Sequence, residues 1–492
     1  MPNHRPTLAR AVTPARPLSV VLVLAATSLA PPAGAQPADL AVFREAALTA
    51  LGGPTDTLEY TARGWDACLG QAWAVTEGWA RWELTDYRRI IDYRAGTSAQ
   101  SAMRRAGLDP DRLGGCGAQA GAAASPQQTS IRADAGFSGQ LPIWLTPHGV
   151  LQLAEAGNAT VATTSTGWQL SVPVAGEGVM HPVVADFDTN HRAERIRTWI
   201  DDPVFGDMEV VAVLGDYREF GDVTFPESLT LLQGGLATLE LTIESVAHGV
   251  ESPEIGPARG FGGGGNSAGG EVVAIGSGVY VVRGGYQAVA VEFDDFSVVI
   301  DGMQNDARTA AVIRLTKESI PGKPIRYVVV THSHFDHVSG LRQFAAEGAT
   351  ILTHTLNTEF FEAALATPRT LNPNRIEPSN VTATVEGIDA RFVLRDNAGQ
   401  TLELIPLGPS AHAADMLIAY LPAIRTVVES DLLQPWINPI FAGDGPGAHP
   451  YLVYLYDELE QAGIDYAQFV PIHQPPDPPT MPAQALIDAV GR

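Results

Sequence analysis

The stretch YVVVTHSHFDHVSG, residues Tyr327–Gly340, places three histidines and one aspartate within six positions, directly after a run of apolar residues. The apolar run predicts a buried strand, so the four polar residues follow on the loop at its end. Imidazole nitrogens and carboxylate oxygens on one short loop suit a divalent transition metal, and four such residues could serve two ions. Because the chain has only 12 histidines, this clustering favours a metal site over incidental surface histidines. The candidate ligands here are His332, His334, Asp336 and His337.

Three more candidate ligands follow predicted strands later in the chain. His412 lies between two apolar runs in PLGPSAHAADMLIAYLP, Asp431 follows the strand in RTVVESDLLQP, and His473 follows the strand in FVPIHQPP. Each residue alone is more typical of a turn or a cap than of a metal site. Together, and in this order, they complete two coordination shells.

The order His-x-His-x-Asp-His, then His, then Asp, then His resembles the ligand order of the metallo-β-lactamase superfamily, over roughly residues 272–492. The resemblance implies an αββα sandwich with two metal ions at the edge of its two sheets. It implies that one ion takes His332, His334 and His412, that the other takes Asp336, His337 and His473, and that Asp431 bridges both. Asp301, which ends the strand FSVVID, would support a ligand from behind.

The same resemblance implies a metal-dependent hydrolase. A hydroxide shared by two divalent ions would attack a carbonyl, with Asp336 as the catalytic residue that orients the nucleophile and moves a proton. Zinc is the favoured ion, and iron and manganese are alternatives because these ligands accept them as well. The substrate would be a small ester, thioester, lactone or amide.

Two other functions stay open. An all-His/Asp metallo-β-lactamase is favoured by export, whereas Asp431 resembles the bridging aspartate of thioesterases and lactonases, which those lactamases lack. A carrier of lipid-like ligands with a secondary metal site is the other alternative, and the complete ligand set argues against it.

The N-terminus predicts export. Arg5, Arg10 and Arg16 form a basic region before the apolar stretch Leu18–Ala30. This stretch is too short to span a bilayer, and AGA at residues 33–35 offers a cleavage site after Ala35. We therefore expect a periplasmic or secreted protein with no integral membrane segment in the mature chain. The net charge of −24 excludes nucleic acid as a partner, because phosphate binding needs basic surfaces. The oligomeric state stays open.

The predicted fold class is α+β. The predicted divisions are a signal peptide at 1–35, an N-terminal β-rich domain at 36–255, a glycine-rich linker at 256–271 and the metallo-β-lactamase-like domain at 272–492. Apolar and polar residues alternate through much of the second division, which predicts a mainly antiparallel sheet. Segments such as FGDVTFPESL in that division also resemble lipoprotein-carrier half-barrels, which implies a cavity for an apolar ligand.

Other residues of the N-terminal domain give weaker signals. Helices are expected near Leu40–Leu51 and from Pro147 onward. Cys68 and Cys116 are either a disulfide or two buried thiols. His148 and His181 are scattered in sequence, so we expect them to be capping or surface residues.

Overall fold

The computed structural model describes residues 35–106, 123–156, 158–256, 270–433, 449–473 and 477–492. The basic and apolar parts of the predicted signal peptide therefore lie outside the described residues, as do most of the predicted linker and Cys116. Cys68 is disulfide-bonded. Among the described residues, no helix is both long enough and apolar enough to cross a membrane.

Twelve described strands form one antiparallel sheet in the N-terminal half, in the order β1-β6-β7-β8-β9-β10-β11-β12-β2-β3-β4-β5. Alternation of apolar and polar residues explains this sheet. In the strand Leu236–His248, Leu241 and Ile243 are buried, whereas Thr242 and Glu244 are exposed. The strands are β1 (Gln36–Pro37), β2 (Thr57–Cys68), β3 (Ala80–Asp92), β4 (Thr97–Ala106), β5 (Ser125–Ile131), β6 (Thr160–Thr163), β7 (Trp168–Gly176), β8 (Val179–Phe187), β9 (Ala193–Asp202), β10 (Gly206–Phe220), β11 (Val223–Gln233) and β12 (Leu236–His248).

Three helices pack on this sheet: α1 (Leu40–Ala50), α2 (Phe137–Trp144) and α3 (Pro147–Ala156). The side chain of Asp39 caps α1 by accepting a hydrogen bond from the backbone N–H of Val42. The sequence predicts α1 and α3, but not α2, because α2 contains Pro142 and a glycine that usually interrupt helices.

The expectation that His148 and His181 are capping or surface residues is wrong. His148 is 2% exposed, and its ring lies between Tyr93 and Phe225, with centroids 6.1 and 6.5 Å away. His181 is 1% exposed and stacks on Phe137 at 4.3 Å. Both imidazoles therefore belong to the aromatic core of the sheet, which an isolated histidine in a sequence does not reveal.

Two further sheets form the C-terminal half. The first has seven strands, of which β13–β16 are antiparallel and β16–β19 parallel. The second has six, with one parallel pair, β23 and β24. The strands are β13 (Val272–Gly276), β14 (Val279–Val282), β15 (Ala288–Glu292), β16 (Ser297–Ile300), β17 (Ile325–Val329), β18 (Thr350–His354), β19 (Thr384–Ile388), β20 (Phe392–Arg395), β21 (Thr401–Pro406), β22 (Leu417–Leu421), β23 (Thr426–Glu429), β24 (Gln468–Pro471) and β25 (Met481–Pro482).

Helices cover the outer faces of both sheets. Val291 and Val298 of the first sheet pack against Leu404 and Val428 of the second in one fully buried cluster, which is the inner layer. The helices are α4 (Asp306–Ser319), α5 (Phe335–Val338), α6 (Leu341–Ala346) and α7 (Thr358–Ala366) with the first sheet, and α8 (Pro450–Gln461) and α9 (Gln484–Val490) with the second. The C-terminal half is therefore an αββα sandwich, and the predicted α+β fold class is confirmed.

Buried polar contacts join the two halves of the chain. Arg369 is 2% exposed and donates hydrogen bonds to Asp201 of β9 and to Asp306 of α4. Asp207 of β10 accepts hydrogen bonds from the backbone N–H groups of Thr370 and Leu371. The ion pairs of Arg369 fix the position of the two halves relative to each other, because the loss of its partners would leave an uncompensated buried charge.

We predict a pH dependence of stability from His148. Burial lowers the pKa of His148 to about 4, below the value of about 6.5 expected in the unfolded chain. The folded protein thus favours neutral imidazole, and this stability is present above pH 6.5 and lost as the pH falls towards 4. From pH 7 to pH 5, the free energy of unfolding should fall by about 2 kcal/mol more in the wild type than in His148→Phe. Equal falls in urea denaturation would contradict this.

Candidate metal centre

The ends of several strands meet at one edge of the sandwich and carry the candidate ligands there. His332 and His334 follow β17, and His412 lies in the loop between β21 and β22. Asp431 follows β23 and His473 follows its parallel neighbour β24. Because neighbouring parallel strands end at the same edge, their loops converge although the sequence separates them widely.

One group of four residues has the geometry of a metal site. His332, His334, His412 and Asp431 each offer a ligand atom, and these atoms all lie within 4.8 Å of one another. The Nε2 atoms of His332 and His412 are 3.2 Å apart, and Asp431 Oδ2 lies 3.1 Å from His412 Nε2. All four residues are buried.

A second group shares Asp431 with the first. It consists of Asp336, His337 and Asp431, again with ligand atoms within 4.8 Å of one another. His337 Nε2 lies 3.3 Å from Asp431 Oδ1 and 3.6 Å from Asp336 Oδ2. Asp431 thus directs one carboxylate oxygen towards each group.

His473 lies beside these groups but belongs to neither of them. Its Nδ1 atom is 3.9 Å from Asp431 Oδ1, and its ring meets the edge of Tyr286 at 4.4 Å. This Nδ1 atom is buried without a hydrogen-bond partner. The structure therefore brings six of the seven predicted ligands into two groups and places the seventh next to the shared carboxylate.

The other ring nitrogens of the histidines are held by hydrogen bonds. His337 Nδ1 lies 3.0 Å from Asp301 Oδ2, His412 Nδ1 lies 3.3 Å from the hydroxyl of Tyr451, and His334 Nε2 donates to the backbone oxygen of Ala72 at 3.0 Å. His334 Nδ1 and His337 Nε2 are left buried without a hydrogen-bond partner. Unpartnered nitrogens that face carboxylates, with their opposite nitrogens fixed, are what a bound metal ion requires. The residues therefore fit divalent metal binding.

Local backbone conformation aims the two central aspartates. Asp301 and Asp431 have positive φ angles of 56° and 66°, which non-glycine residues adopt rarely and at a cost. Glu429 stabilises the turn at Asp431, because its carboxylate accepts hydrogen bonds from the N–H groups of Leu432 and Leu433. Backbone strain at residues that hold or carry ligands is consistent with a functional centre.

Burial and neighbouring charges set the protonation of the cluster. Burial, followed by the imidazoles of His337 and His334, lowers the pKa of His332 well below its usual value. Burial and then His412 lower the pKa of His334 to about 3. Burial opposes ionisation of Asp431, but His337 and His473 hold the pKa of this carboxyl well below its usual value. Neutral imidazoles of His332 and His334 and an ionised Asp431 are the protonation states in which these groups bind metal.

Asp336 is held by two donors that the sequence does not indicate. Gln71 Nε2 donates to Asp336 Oδ1 at 2.8 Å, and the Tyr286 hydroxyl donates to Asp336 Oδ2 at 2.7 Å. Tyr286 lies just after β14, and a polar residue near a strand end is a signal that could have identified it. Gln71 belongs to the N-terminal half and lies in no recognisable motif.

His354 and His449 match no ligand position of the predicted metal site. They accept hydrogen bonds from backbone N–H groups at the starts of helices.

Comparisons with known proteins match part of the chain. A sequence profile of the family described as "Metallo-beta-lactamase superfamily" matches residues 281–419. A curated relative, "2,4-dinitroanisole O-demethylase subunit alpha" of Nocardioides sp. (strain JS1661), is 24% identical over 201 residues, which are 39% of this chain and 54% of the relative. The chain thus spans about half the length of this relative.

Two solved structures of metallo-β-lactamases also match part of the chain. The enzyme from Pontibacter korlensis is 17% identical, with 44% of this chain and 95% of that chain covered and a TM-score of 0.32. FIM-1 from Pseudomonas aeruginosa, in its mono-zinc form, is 18% identical, with 44% and 91% covered and a TM-score of 0.30. By the profile match at residues 281–419 and the His/Asp cluster, the C-terminal half of the chain is similar to the metallo-β-lactamase superfamily.

Proposed function

We propose that the chain is an exported hydrolase that uses two divalent metal ions on a small ester, thioester, lactone or amide substrate. The observation that carries this proposal is the position of Asp431, whose two carboxylate oxygens face two separate groups of potential ligands. A single-ion site would need only one of these groups.

The described residues include a candidate set of ligands for each proposed ion. His332, His334, His412 and Asp431 would hold one ion, and Asp336, His337 and Asp431 would hold the other, with His473 beside them. When bound, two divalent ions supply an activated water and polarise a carbonyl oxygen. Nitrogen and oxygen donors favour zinc and also accept iron or manganese.

Asp336 is the residue best placed to handle a proton. Burial opposes its ionisation, but His337 beside it holds the pKa of this carboxyl below its usual value. Burial, followed by the charge of Asp336, raises the pKa of Tyr286, so the tyrosine stays a hydrogen-bond donor to the carboxylate. A carboxylate held at both oxygens can orient a water molecule and accept its proton.

A second candidate reaction is suggested by the curated relative. Its name assigns it the O-demethylation of 2,4-dinitroanisole, an aryl methyl ether activated by nitro groups. The same proton-handling carboxylate could assist water attack at an activated aryl carbon, with the alkoxide as leaving group. The partial coverage of that relative ranks this reaction behind carbonyl hydrolysis.

We predict that Asp336→Asn abolishes most of the turnover. The wild type, loaded with zinc, manganese or iron, would be tested on an ester, a lactone, a thioester, a β-lactam and an activated aryl ether. Loss of the proton acceptor should lower kcat/KM by a factor of about 10² to 10⁴. Metal content is measured in parallel. Unchanged turnover in Asp336→Asn would remove this residue from the mechanism, and a fully loaded wild type that turns over none of these substrates would contradict the proposed reaction.

Asp301 offers a test of the metal centre that is independent of substrate. Its carboxylate holds His337 Nδ1 at 3.0 Å, so Asp301→Asn should weaken metal binding by about 10- to 100-fold. Asp186→Asn is the control, because Asp186 accepts comparable hydrogen bonds from Gln169 and Arg197 in the twelve-stranded N-terminal sheet. Competition against a chromophoric chelator measures the affinity. Equal affinities in the two variants would show that Asp301 does not support a metal ligand.

Export can be tested on the full-length chain. The basic region and the apolar stretch Leu18–Ala30 should direct the protein out of the cytoplasm, with cleavage after Ala35. Intact-mass measurement of the protein from a bacterial periplasmic fraction should give a chain that begins at Gln36. An uncleaved chain confined to the cytoplasm would overturn this part of the proposal.

A further inference from the structure

A four-residue segment of the N-terminal half touches two of the segments that carry candidate metal ligands. We call residues Gly70–Trp73, in the connection between β2 and β3, the insert. Its hydrogen-bond partners in the C-terminal half belong to the segment that follows β17, including the start of α5, and to the loop between β21 and β22. They include Phe335, Asp336, His334, Ala414 and Ser410.

We propose that the insert is a built-in part of the metal centre, in which the carbonyl of Ala72 positions His334 and the amide of Gln71 positions Asp336. This inference rests on the proposed metal-dependent function. It makes the N-terminal domain a structural component of the centre rather than an appended module. A site assembled from the sandwich alone would lack these groups.

The Ala72 carbonyl decides which nitrogen of His334 can bind metal. A carbonyl oxygen only accepts hydrogen bonds, so the 3.0 Å contact requires a proton on His334 Nε2. The lone pair then lies on Nδ1, the buried nitrogen that has no hydrogen-bond partner. Histidine ligands commonly need such a partner to fix the ring and raise its basicity. Here the partner comes from a backbone 262 residues earlier in the chain.

The Gln71 amide positions a carboxylate of the second ligand group. Its Nε2 donates to Asp336 Oδ1 at 2.8 Å, while Oδ2 of the same carboxylate lies 3.6 Å from His337 Nε2. Holding the outer side of Asp336 leaves one carboxylate oxygen facing the ligand group. Gln71 is thus a positioning residue, because it acts through Asp336.

Close packing holds the insert against Phe335. Gly70 has a φ of 80°, and a Cβ atom there would lie 2.2 Å from Cγ of Phe335. The Gly70 carbonyl accepts a hydrogen bond from the N–H of Phe335 at 3.0 Å. Phe335 also meets the rings of Trp79 and Phe205 at 5.5 Å each, so aromatic contacts with the N-terminal half surround this position.

Trp73 ties the insert to the loop that carries His412. Its carbonyl accepts a hydrogen bond from the N–H of Ala414 at 2.7 Å, and its indole Nε1 donates to the carbonyl of Ser410 at 2.8 Å. These two contacts flank His412 on both sides in sequence. The insert therefore constrains ligands from two separate loops at once.

Two pairs of full-length variants test this role. Gln71→Ala removes the amide, and Gln169→Ala is its control, since Gln169 Nε2 makes a similar 2.9 Å hydrogen bond to Asp186. Gly70→Ala displaces the insert from Phe335, and Gly78→Ala is its control, because Gly78 has a φ of 82° and nothing within 4 Å of the added atom. Metal affinity and the visible spectrum of the Co²⁺-loaded protein are measured, together with thermal unfolding of the metal-free form.

We expect Gln71→Ala and Gly70→Ala to lower metal affinity about 10- to 100-fold and to change the Co²⁺ spectrum, whereas both controls keep wild-type values. A merely structural insert would shift thermal unfolding and leave affinity and spectrum at control values, and that result would overturn the inference. A wild type that binds no metal at all would instead overturn the proposed function. Should one variant fail to fold, the other pair decides the question.

Discussion

The metal centre depends on one buried carboxylate. Asp431 is 6% exposed, and it lies within 3.1 to 3.6 Å of nitrogens of His412, His337 and His332. A buried charge is tolerated only when it is paired. Loops that are far apart in sequence must therefore bring their histidines next to Asp431. The αββα sandwich meets this demand because its strand ends share an edge, and the turn held by Glu429 aims the carboxylate inward.

Local patterns made the C-terminal half predictable from sequence. The run DARTAAVIRLTKES predicts a helix, and α4 spans these same residues, Asp306–Ser319, with Asn305 as its cap. The ligand cluster at His332–His337 was equally visible, since its chemistry is unusual for ordinary packing. The burial of His148 was not visible, because an isolated histidine has the same sequence signature in a core as on a surface. The helix α2 was missed because tertiary packing of Phe137 and Leu141 outweighs its internal proline.

The contribution of the N-terminal half to the metal centre could not be predicted from the sequence, for a different reason. Gln71 and Ala72 carry no motif, and one of the two acts through its backbone carbonyl, which every residue possesses. The contacts depend on docking of two domains through Arg369 and through the aromatic neighbours of Phe335. The sequence predicts a domain boundary at the glycine-rich stretch 256–271, but one hydrophobic core contains buried residues from both halves of the chain. The predicted domain boundary therefore does not coincide with a boundary of the packed core.

Charge balance connects the buried cluster to its chemistry. Asp301, Asp336 and Asp431 place three carboxylates around the histidines. The pKa of His337 is raised well above its usual value, because Asp301 and Asp431 favour its charge although burial opposes it. One imidazolium cannot neutralise three carboxylates, so the cluster calls for additional positive charge. Two divalent cations would more than balance the carboxylates and displace the proton of His337, which leaves a site with net positive charge. Such a site would attract hydroxide and the developing negative charge of a carbonyl under attack, so the proposed pair of ions would favour hydrolysis over storage of metal.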